Sequence, residues 1–344
     1  MLDLVGTTTG VVELDVYGLR VSITGDWREV VDAVAADFAW FARATPSAER
    51  PSNGPHVSVT ISRRPPDASR FGELPQTFIT SRNVVYRSGD KTIVDYGPVL
   101  AMYDSRSATF TVEGEHEHLV HEATYLFLLF RIGRHLDQSG LTRVHALGLS
   151  GRQGAVLVLL PSGGGKTTLA LRALNDPRGK LLSEDTPLID RHGFVHPFPL
   201  RLGVNESDAQ WLPPGETRRI ERLEYGPKLL VSLDAYAERI ERAPQPIAHI
   251  VIGRRWLQGG GRLHPLSRSA LVAPLIRDGV IGLGVAQMIE YVLRQGRAGA
   301  LSQARIAASR AVCCAQALVH ARTWRLELSR DPEINWSALV QLLE

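Results

Sequence analysis

The sequence contains little cysteine, and its two cysteines, Cys313 and Cys314, are adjacent. Neighbouring cysteines rarely bridge each other, and no Cys-x-x-Cys or Cys/His spacing of a zinc site is present. A disulfide framework and a structural zinc domain are therefore excluded. Free cysteine is among the most buried residue types, so we expect both residues to be small apolar core residues. Cysteine usage of this kind favours a cytoplasmic location.

Long apolar runs and concentrated charge are also missing. No stretch approaches the ~20 apolar residues of a membrane span, and Met1–Gly10 lacks the basic flank and apolar run of a signal peptide. The chain carries 39 Lys and Arg against 36 Asp and Glu, and the basic residues are scattered. Because no basic stripe is interleaved with aromatic residues, we expect neither a membrane nor a nucleic-acid partner.

The first part of the chain predicts a small α+β module over residues 1–115. A chain of 344 residues is long enough for one large domain or two ordinary ones. Helical spacing predicts a helix at Trp27–Phe41, set against a mostly antiparallel sheet. Strands are predicted at Val11–Asp15, Leu19–Thr24, His56–Ile61, Asn83–Arg87, Lys91–Tyr96 and Ala108–Glu113. Substrate recognition is our hypothesis for this module.

A connecting helix is predicted for residues 116–139, and the pattern of apolar residues changes after it. The helical stretch Glu117–His135 is wholly apolar at Leu126–Phe130, which indicates burial. Beyond it, strand, glycine turn, helix and strand follow in the order of a βαβ unit, which predicts a mostly parallel sheet. The predicted strands are Val144–Leu149, Ala155–Leu160, Lys180–Leu182, Ile247–Ile252 and Leu318–Leu328, and the predicted helices are Thr167–Leu174, Val285–Arg294 and Ser302–Ala315.

A glycine-rich loop lies between the second of these strands and the first helix. Consecutive glycines let backbone N–H groups turn inward around phosphate oxygens, and the following helix directs its positive end at the same anion. A lysine in this position contacts the β and γ phosphates, and the next threonine ligates magnesium. The residues of the predicted nucleotide site are Ser162, Gly163, Gly164, Gly165, Lys166, Thr167 and Thr168.

The loop departs from the usual pattern, because Leu160 stands where the first glycine is expected and Pro161 follows it. A glycine-rich turn that binds nothing is the alternative interpretation. A dinucleotide-binding loop is less favoured, because Lys166 and Thr167 suit phosphate and metal better than a bridging pyrophosphate.

Two acidic residues, Glu184 and Asp185, follow the next predicted strand. In a parallel sheet this strand end faces the same crevice as the phosphate loop. One carboxylate would then hold magnesium and the other would accept the proton of an attacking hydroxyl. A solvated acidic turn is the alternative. His145, on the predicted strand before the loop, is either a structural histidine or part of the same site.

The segment Val144–Val204 resembles the catalytic domain of HPr kinase/phosphorylase and of HPr-kinase-like proteins. Three features carry the resemblance: His145 ahead of a hairpin, the loop Ser162–Thr168, and the element Leu181–Asp185. The stretch His196–Arg201 is similar to a proline-containing segment of the kinase-like relatives, and Arg262–Ser269 and Trp324–Pro332 are similar to their C-terminal pieces. The resemblance is looser beyond Val204.

The resemblance implies a P-loop HPr-kinase-like α/β core with a mixed sheet, related to phosphoenolpyruvate carboxykinase, over residues 140–344. It also implies that Glu184 is the base toward an acceptor serine, that Asp185 serves the metal and that His145 lies near the phosphates. A homo-oligomer is compatible with it. The family has Asp where Glu184 stands, and no match to its HPr-docking loop is found, so HPr is not the expected substrate. Some HPr-kinase-like relatives modify precursor peptides of natural-product pathways.

These patterns predict an ATP- and Mg²⁺-dependent kinase that phosphorylates a hydroxyl, with serine favoured, of a peptide, protein or small molecule. The alternative is a nucleotide-binding regulatory or assembly subunit with little or no transfer activity. The two hypotheses differ in whether Glu184 and Asp185 both face the nucleotide. Arg201 is a candidate for contacting phosphate. Candidates for neutralising charge in the transition state are Lys228, Arg254 and Arg255.

Overall fold

The structure is a computed structural model that describes residues 11–43, 54–161, 163–212, 217–221, 226–282 and 297–344. The described residues form two compact units, and the boundary between them in sequence lies at Ile132–Gly133. Residues 220–221 and 226–227 are grouped with the first unit. Both units mix helices and strands. Among the described helices, none has the length and apolar character needed to cross a bilayer.

The first unit is built on an eight-stranded sheet with the order β1-β2-β3-β8-β7-β6-β5-β4. Its neighbouring strands pair antiparallel except at β2–β3 and β3–β8, which are parallel. The sheet is accompanied by helix α1 (Arg28–Asp37) and by the first part of α2 (Glu117–Gln138). The strands are β1 Val12–Val16, β2 Leu19–Gly25, β3 His56–Arg63, β4 Gln76–Ile79, β5 Val84–Ser88, β6 Lys91–Asp95, β7 Val99–Asp104 and β8 Thr109–Gly114.

Alternation of apolar residues explains why one face of this sheet is buried. In β3, Val57, Val59 and Ile61 are fully buried while the residues between them are more exposed. On α2, the ring of Phe127 stacks on Phe110 of β8 at a centroid distance of 3.9 Å. The side of the sheet that carries Phe110 is therefore the helix-covered face, and the opposite side is its open face.

Two predictions for this unit need correction. The helix predicted at Trp27–Phe41 ends at Asp37, because Phe38 leaves the helical conformation and a 3₁₀ turn follows at Ala39–Phe41. Asp37 is buried there against His121 of α2, with 2.7 Å between Oδ2 and Nε2. Strands β4 and β7 were not predicted, because neither combines strong alternation with β-branched residues.

The second unit is built on a nine-stranded mixed sheet. The main path of the sheet runs β12-β10-β11-β18-β14-β13-β9, and β20 pairs with both β18 and β19. Helices α3 (Lys166–Asn175), α4 (Ser269–Leu275), α5 (Arg297–His320) and α6 (Pro332–Leu339) accompany it. The strands are β9 Thr142–Arg143, β10 Leu147–Gly151, β11 Gly154–Leu159, β12 Lys180–Ser183, β13 Leu188–Ile189, β14 Phe194–His196, β18 Gln245–Arg255, β19 Arg262–Pro265 and β20 Arg322–Leu328; a separate small sheet has β15 Leu202–Val204, β16 Thr217–Ile220 and β17 Lys228–Val231.

The prediction of a mostly parallel sheet is wrong for the strands around the loop. Strand β12 pairs antiparallel with β10, which in turn forms an antiparallel hairpin with β11. The parallel pairs are β11–β18 and β18–β20. Because β10 runs against both of its neighbours, β11 and β12 run in the same direction. Their carboxyl ends therefore reach the same edge of the sheet, as the site requires.

The core of the second unit explains two further outcomes. Strand β11 is buried on both faces, and Ala155, Leu157 and Leu159 pack in one cluster with both cysteines of α5. The expected burial of Cys313 and Cys314 is confirmed. The strand predicted at Leu318–Leu328 begins only at Arg322, since Leu318–His320 end helix α5. The predicted helix Val285–Arg294 lies outside the described residues.

Candidate functional site

The loop after β11 has a backbone conformation that depends on its glycines. Gly163 and Gly165 have φ of 67° and 92°, the left-handed region that favours glycine. A Cβ at Gly164 would lie 2.7 Å from the carbonyl oxygen of Pro161, so the loop is closed too tightly there for a side chain. At Gly163 and Gly165 a Cβ would meet open space. The predicted loop residue Ser162 lies outside the described residues.

Leu160 stands where the usual pattern has its first glycine, and its packing explains the difference. Its side chain is buried and packs over β18, where a Cβ at Gly253 would lie 2.1 Å from Leu160 Cδ2. Residue 160 therefore still belongs to the core at the end of β11, and the loop opens one residue later than in the usual pattern. Leu160 therefore anchors the base of the loop in the core, and Gly163 and Gly165 remain unobstructed.

Lys166, the first residue of α3, extends into a cluster at the sheet edge. Its Nζ lies 2.8 Å from Nε2 of His145 and 3.5 Å from Oδ1 of Asp185. The other ring nitrogen of His145, Nδ1, lies 3.1 Å from the same Asp185 oxygen. Because an ammonium only donates, Nε2 accepts from Lys166 and the ring proton lies on Nδ1, facing Asp185. Three predicted site residues thus meet at one point.

Thr167 contacts the other carboxylate. Its hydroxyl donates to Oε1 of Glu184 across 2.5 Å. Thr168 lies in the same first turn of α3 and is partly buried. The two acids therefore contact different residues of the loop: Asp185 contacts Lys166, and Glu184 contacts Thr167. Both carboxylates face the phosphate loop, which was the feature that separates the two functional hypotheses.

The two carboxylates differ in their protonation. Burial, reinforced by the charge of Asp185, raises the pKa of Glu184 to about 7. The hydrogen bond from Thr167 and the charges of Lys228 and Lys166 oppose this rise without cancelling it. Burial also acts to raise the pKa of Asp185, but its hydrogen bond to His145 and the nearby positive charges outweigh burial and lower that pKa. One acid is thus held ionised while its neighbour titrates near neutral pH.

The position of His145 differs from the predicted strand Val144–Leu149. Strand β10 begins only at Leu147, and His145 lies in a bend between β9 and β10. Backbone hydrogen bonds fix the bend: Val144 N–H donates to the Pro187 carbonyl at 3.0 Å, and Ala146 N–H donates to the Asp185 carbonyl at 3.1 Å. The bend frees the imidazole from strand alternation and directs it at the loop.

Two positioning contacts were not foreseen from the sequence. The His145 N–H donates to the carbonyl of Asp278, a residue distant in the chain whose pairing has no local signal. Ser183 is buried, and its hydroxyl accepts the Thr186 N–H at 3.1 Å, which closes the turn that carries the two acids. The Ser-x-x-Thr spacing before a proline was the available signal for this turn.

Two of the candidate cations lie near the loop. Arg255, at the end of β18, donates through Nη2 to the Gly163 carbonyl at 2.6 Å. Lys228 bonds the Gly203 carbonyl at 2.9 Å, and its charge acts on Glu184. Arg254 instead lies 5.9 Å from the ring centre of Trp256. Arg255 is therefore in direct contact with the loop backbone.

The residues present fit a nucleotide with magnesium. Within the described residues, no group of three or more His, Cys, Asp or Glu side chains forms a metal cage of its own. Magnesium, however, typically takes one or two carboxylates together with substrate phosphates and waters. The hydroxyl of Thr167 and the carboxylate of Asp185 would supply hard oxygen ligands of that kind beside the glycine loop, and Glu184 lies next to them. No family model and no curated protein matches the chain.

Proposed function

We propose that this protein is an ATP- and Mg²⁺-dependent kinase that transfers a phosphoryl group to a hydroxyl, with an HPr-kinase-like core around the site. The observation that carries the proposal is the division of the acidic pair over the loop. Asp185 pairs with Lys166, and Glu184 accepts a hydrogen bond from Thr167. Two carboxylates therefore contact the two loop residues that would serve phosphate and metal. An acceptor hydroxyl of serine in a peptide or protein is favoured, and a small molecule remains within the same chemistry.

The loop would bind the nucleotide. Its amides and the start of α3 favour a polyphosphate, and Lys166 supplies a positive charge to the β and γ phosphates. In the present arrangement Lys166 is held by His145 and Asp185, so its side chain is already directed toward one of the two acids. ATP supplies the transferred group, and magnesium neutralises charge on it; Thr167 and Asp185 are the residues that would hold the metal.

Glu184 would accept the proton of the acceptor. A general base works best when its pKa lies near the working pH, and the pKa of Glu184 is about 7. As the acceptor oxygen bonds to the γ-phosphorus, its proton passes to Glu184 and ADP leaves with the electron pair of the broken P–O bond. Asp185 stays ionised beside His145, which orients it through Nδ1.

Positive charge around the loop supports the same chemistry. The transferred group spreads negative charge over its oxygens, and preorganised cations stabilise it. Arg255 is fixed to the loop by its bond to the Gly163 carbonyl, and Lys228 acts on Glu184 through its charge. A regulatory or assembly subunit that only binds nucleotide remains the alternative, but it does not require a base with a raised pKa at the loop.

Transfer of label from γ-labelled ATP tests the proposal. The full chain is incubated with magnesium, peptide pools that contain serine, and metabolite extracts, beside Lys166→Ala and Glu184→Gln. Lys180→Ala is the matched control, because Lys180 is an exposed lysine on β12. We expect labelled product with wild type and Lys180→Ala, none with Lys166→Ala, and nucleotide binding without transfer in Glu184→Gln. Full transfer by Glu184→Gln would refute the role of Glu184, and binding without any transfer by wild type would favour the regulatory subunit.

A further inference from the structure

A buried carboxylate fastens a loop across the open face of the first unit's sheet. Residues 64–75, here called the strap, connect β3 to β4. Glu113 of β8 is 2% exposed and pairs with Arg64 and Arg70 of the strap, each at 2.8 Å. It also accepts the Asp67 N–H at 2.9 Å. A buried acid that takes three donors from one loop holds that loop in place rather than leaving it to solvent.

The strap forms one side of a partly open pocket of about 630 Å³, and strands β5, β6 and β7 form the other. This volume is typical of a site for a drug-sized ligand or a short peptide segment. Phe71 and Leu74 of the strap form one wall, and Tyr86, Ile93 and Leu100 of the open sheet face form the other. The pocket wall is therefore mixed, with slightly more apolar than polar surface, and it has aromatic rings on both sides.

Two carboxylates give the pocket its charge. Glu73 and Asp95 both line it. One oxygen of Asp95 accepts the Gly97 N–H at 2.8 Å, and the nearby strap arginines are engaged by Glu113. A pocket of mixed lining with aromatic rings and two acidic groups suits a ligand that combines an apolar part with a positive charge, and disfavours phosphates and nucleic acid.

The edge of the sheet begins at the same place. Pro75 lines the pocket, and β4 starts at the next residue as the terminal strand among those described. An edge strand presents a row of backbone groups that an extended peptide can pair with. Ile79 of β4 is 62% exposed, and it shares the open face with Tyr86, since it lies opposite Val84. An exposed apolar side chain at the edge thus lies on the same face of the sheet as the pocket.

We propose that this pocket and the β4 edge bind an extended peptide segment in which a basic residue neighbours an apolar one. One part of the peptide occupies the pocket, with its apolar side chain against the wall and its Lys or Arg facing Glu73 and Asp95. The next part extends past Pro75, and its backbone pairs with β4. That the bound peptide is the phosphoryl acceptor rests on the kinase proposed above. The peptide site itself does not depend on that activity.

Selection from a degenerate pool tests the site without nucleotide. Immobilised full-length protein is exposed to end-capped random hexapeptides, and the retained peptides are sequenced by mass spectrometry. We expect Lys and Arg beside apolar residues to be enriched, and the enrichment to fall about five- to tenfold in Glu73→Gln/Asp95→Asn. The control Asp90→Asn/Glu115→Gln removes two exposed charges of the same unit outside the pocket and should retain it. Circular dichroism confirms that each variant is folded.

Three outcomes would overturn the proposal: no enrichment, enrichment of acidic peptides, or equal enrichment in the pocket and control variants. A selected peptide is then resynthesised with N-methyl groups on either alternate set of amides. Pairing with β4 predicts that one set abolishes binding and the other does not, and equal binding of both would refute strand addition.

The transfer assay separates this proposal from the proposed function. Glu73→Gln/Asp95→Asn should raise KM for a serine peptide that carries the selected segment and leave kcat unchanged. Lys166→Ala should abolish transfer and leave peptide retention intact. Selective retention without any transfer would refute the kinase and leave the peptide site standing.

Discussion

Replacing Glu184 by glutamine should stabilise the protein above neutral pH. The folded state raises the pKa of Glu184 from 4.5 to about 7, mainly through burial. In the unfolded chain the same acid ionises near its ordinary pKa, so folding must tolerate a disfavoured charge once the pH exceeds 7. The difference between the two pKa values corresponds to about 3 kcal/mol at most. Because part of the side chain reaches solvent, we expect about 1–3 kcal/mol.

The sign of the effect follows from proton counting. Between pH 4.5 and 7 the folded state binds more protons at Glu184 than the unfolded state does, so this residue lowers stability as the pH rises. Glu184→Gln keeps an acceptor for the Thr167 hydroxyl and removes the charge. Its gain in stability should therefore be small at pH 5 and nearly complete at pH 8.

Asp185→Asn is the matched control with the opposite sign. The pKa of Asp185 is lowered, so its ionised form stabilises the folded state above its ordinary pKa. At pH 5, Asp185→Asn should destabilise the protein while Glu184→Gln changes it little. Urea unfolding of both variants and wild type at pH 5 and 8, followed by circular dichroism, measures these differences. A Glu184→Gln protein that is no more stable than wild type at pH 8 would refute the argument.

Three further changes test other parts of the structure. Gly164→Ala places a Cβ against the Pro161 carbonyl, so calorimetry should show ATP binding at least about tenfold weaker than in wild type. The control is Gly226→Ala, whose Cβ meets open space and which should bind ATP as wild type does. Thr167→Val removes a hydrogen bond that lowers the pKa of Glu184, so carboxyl NMR should show that pKa above about 7; an unchanged value would contradict the contact. Glu113→Gln leaves the strap arginines without their carboxylate and should cost about 2 kcal/mol of unfolding free energy in denaturant titration, and no loss would mean that the strap is held otherwise.

Much of the local structure could be predicted because alternation and helical spacing are local signals. The strand at His56–Ile61 and the helix after the phosphate loop lie close to their predicted positions. Strand partners could not be predicted in this way. The segment Lys180–Ser183 reads as a strand whichever neighbour it takes, and its pairing with β10 rather than β11 depends on a hairpin that periodicity does not reveal.

The candidate site likewise combines features that could be predicted from local sequence signals with features that could not. Glycine spacing and the acids after a strand identified Lys166, Thr167, Glu184 and Asp185, which the structure brings together. His145 was identified by type, but the bend that directs it at the loop depends on backbone bonds to distant segments. Which acid contacts which loop residue, Glu184 with Thr167 and Asp185 with Lys166, likewise depends on side-chain geometry that could not be read from the sequence.

The hairpin β10–β11 has a consequence for how the site assembles during folding. Because this hairpin directly precedes the loop and β12 adds to its free side, every contact among His145, Lys166 and Asp185 is made between segments that are close in sequence. Contacts between nearby segments cost little chain entropy and form early. The side-chain contacts of the cluster can therefore form while the nascent chain still lacks β20. The bond from the His145 N–H to the Asp278 carbonyl and the bond from Arg255 to the loop join segments that are farther apart and are added later.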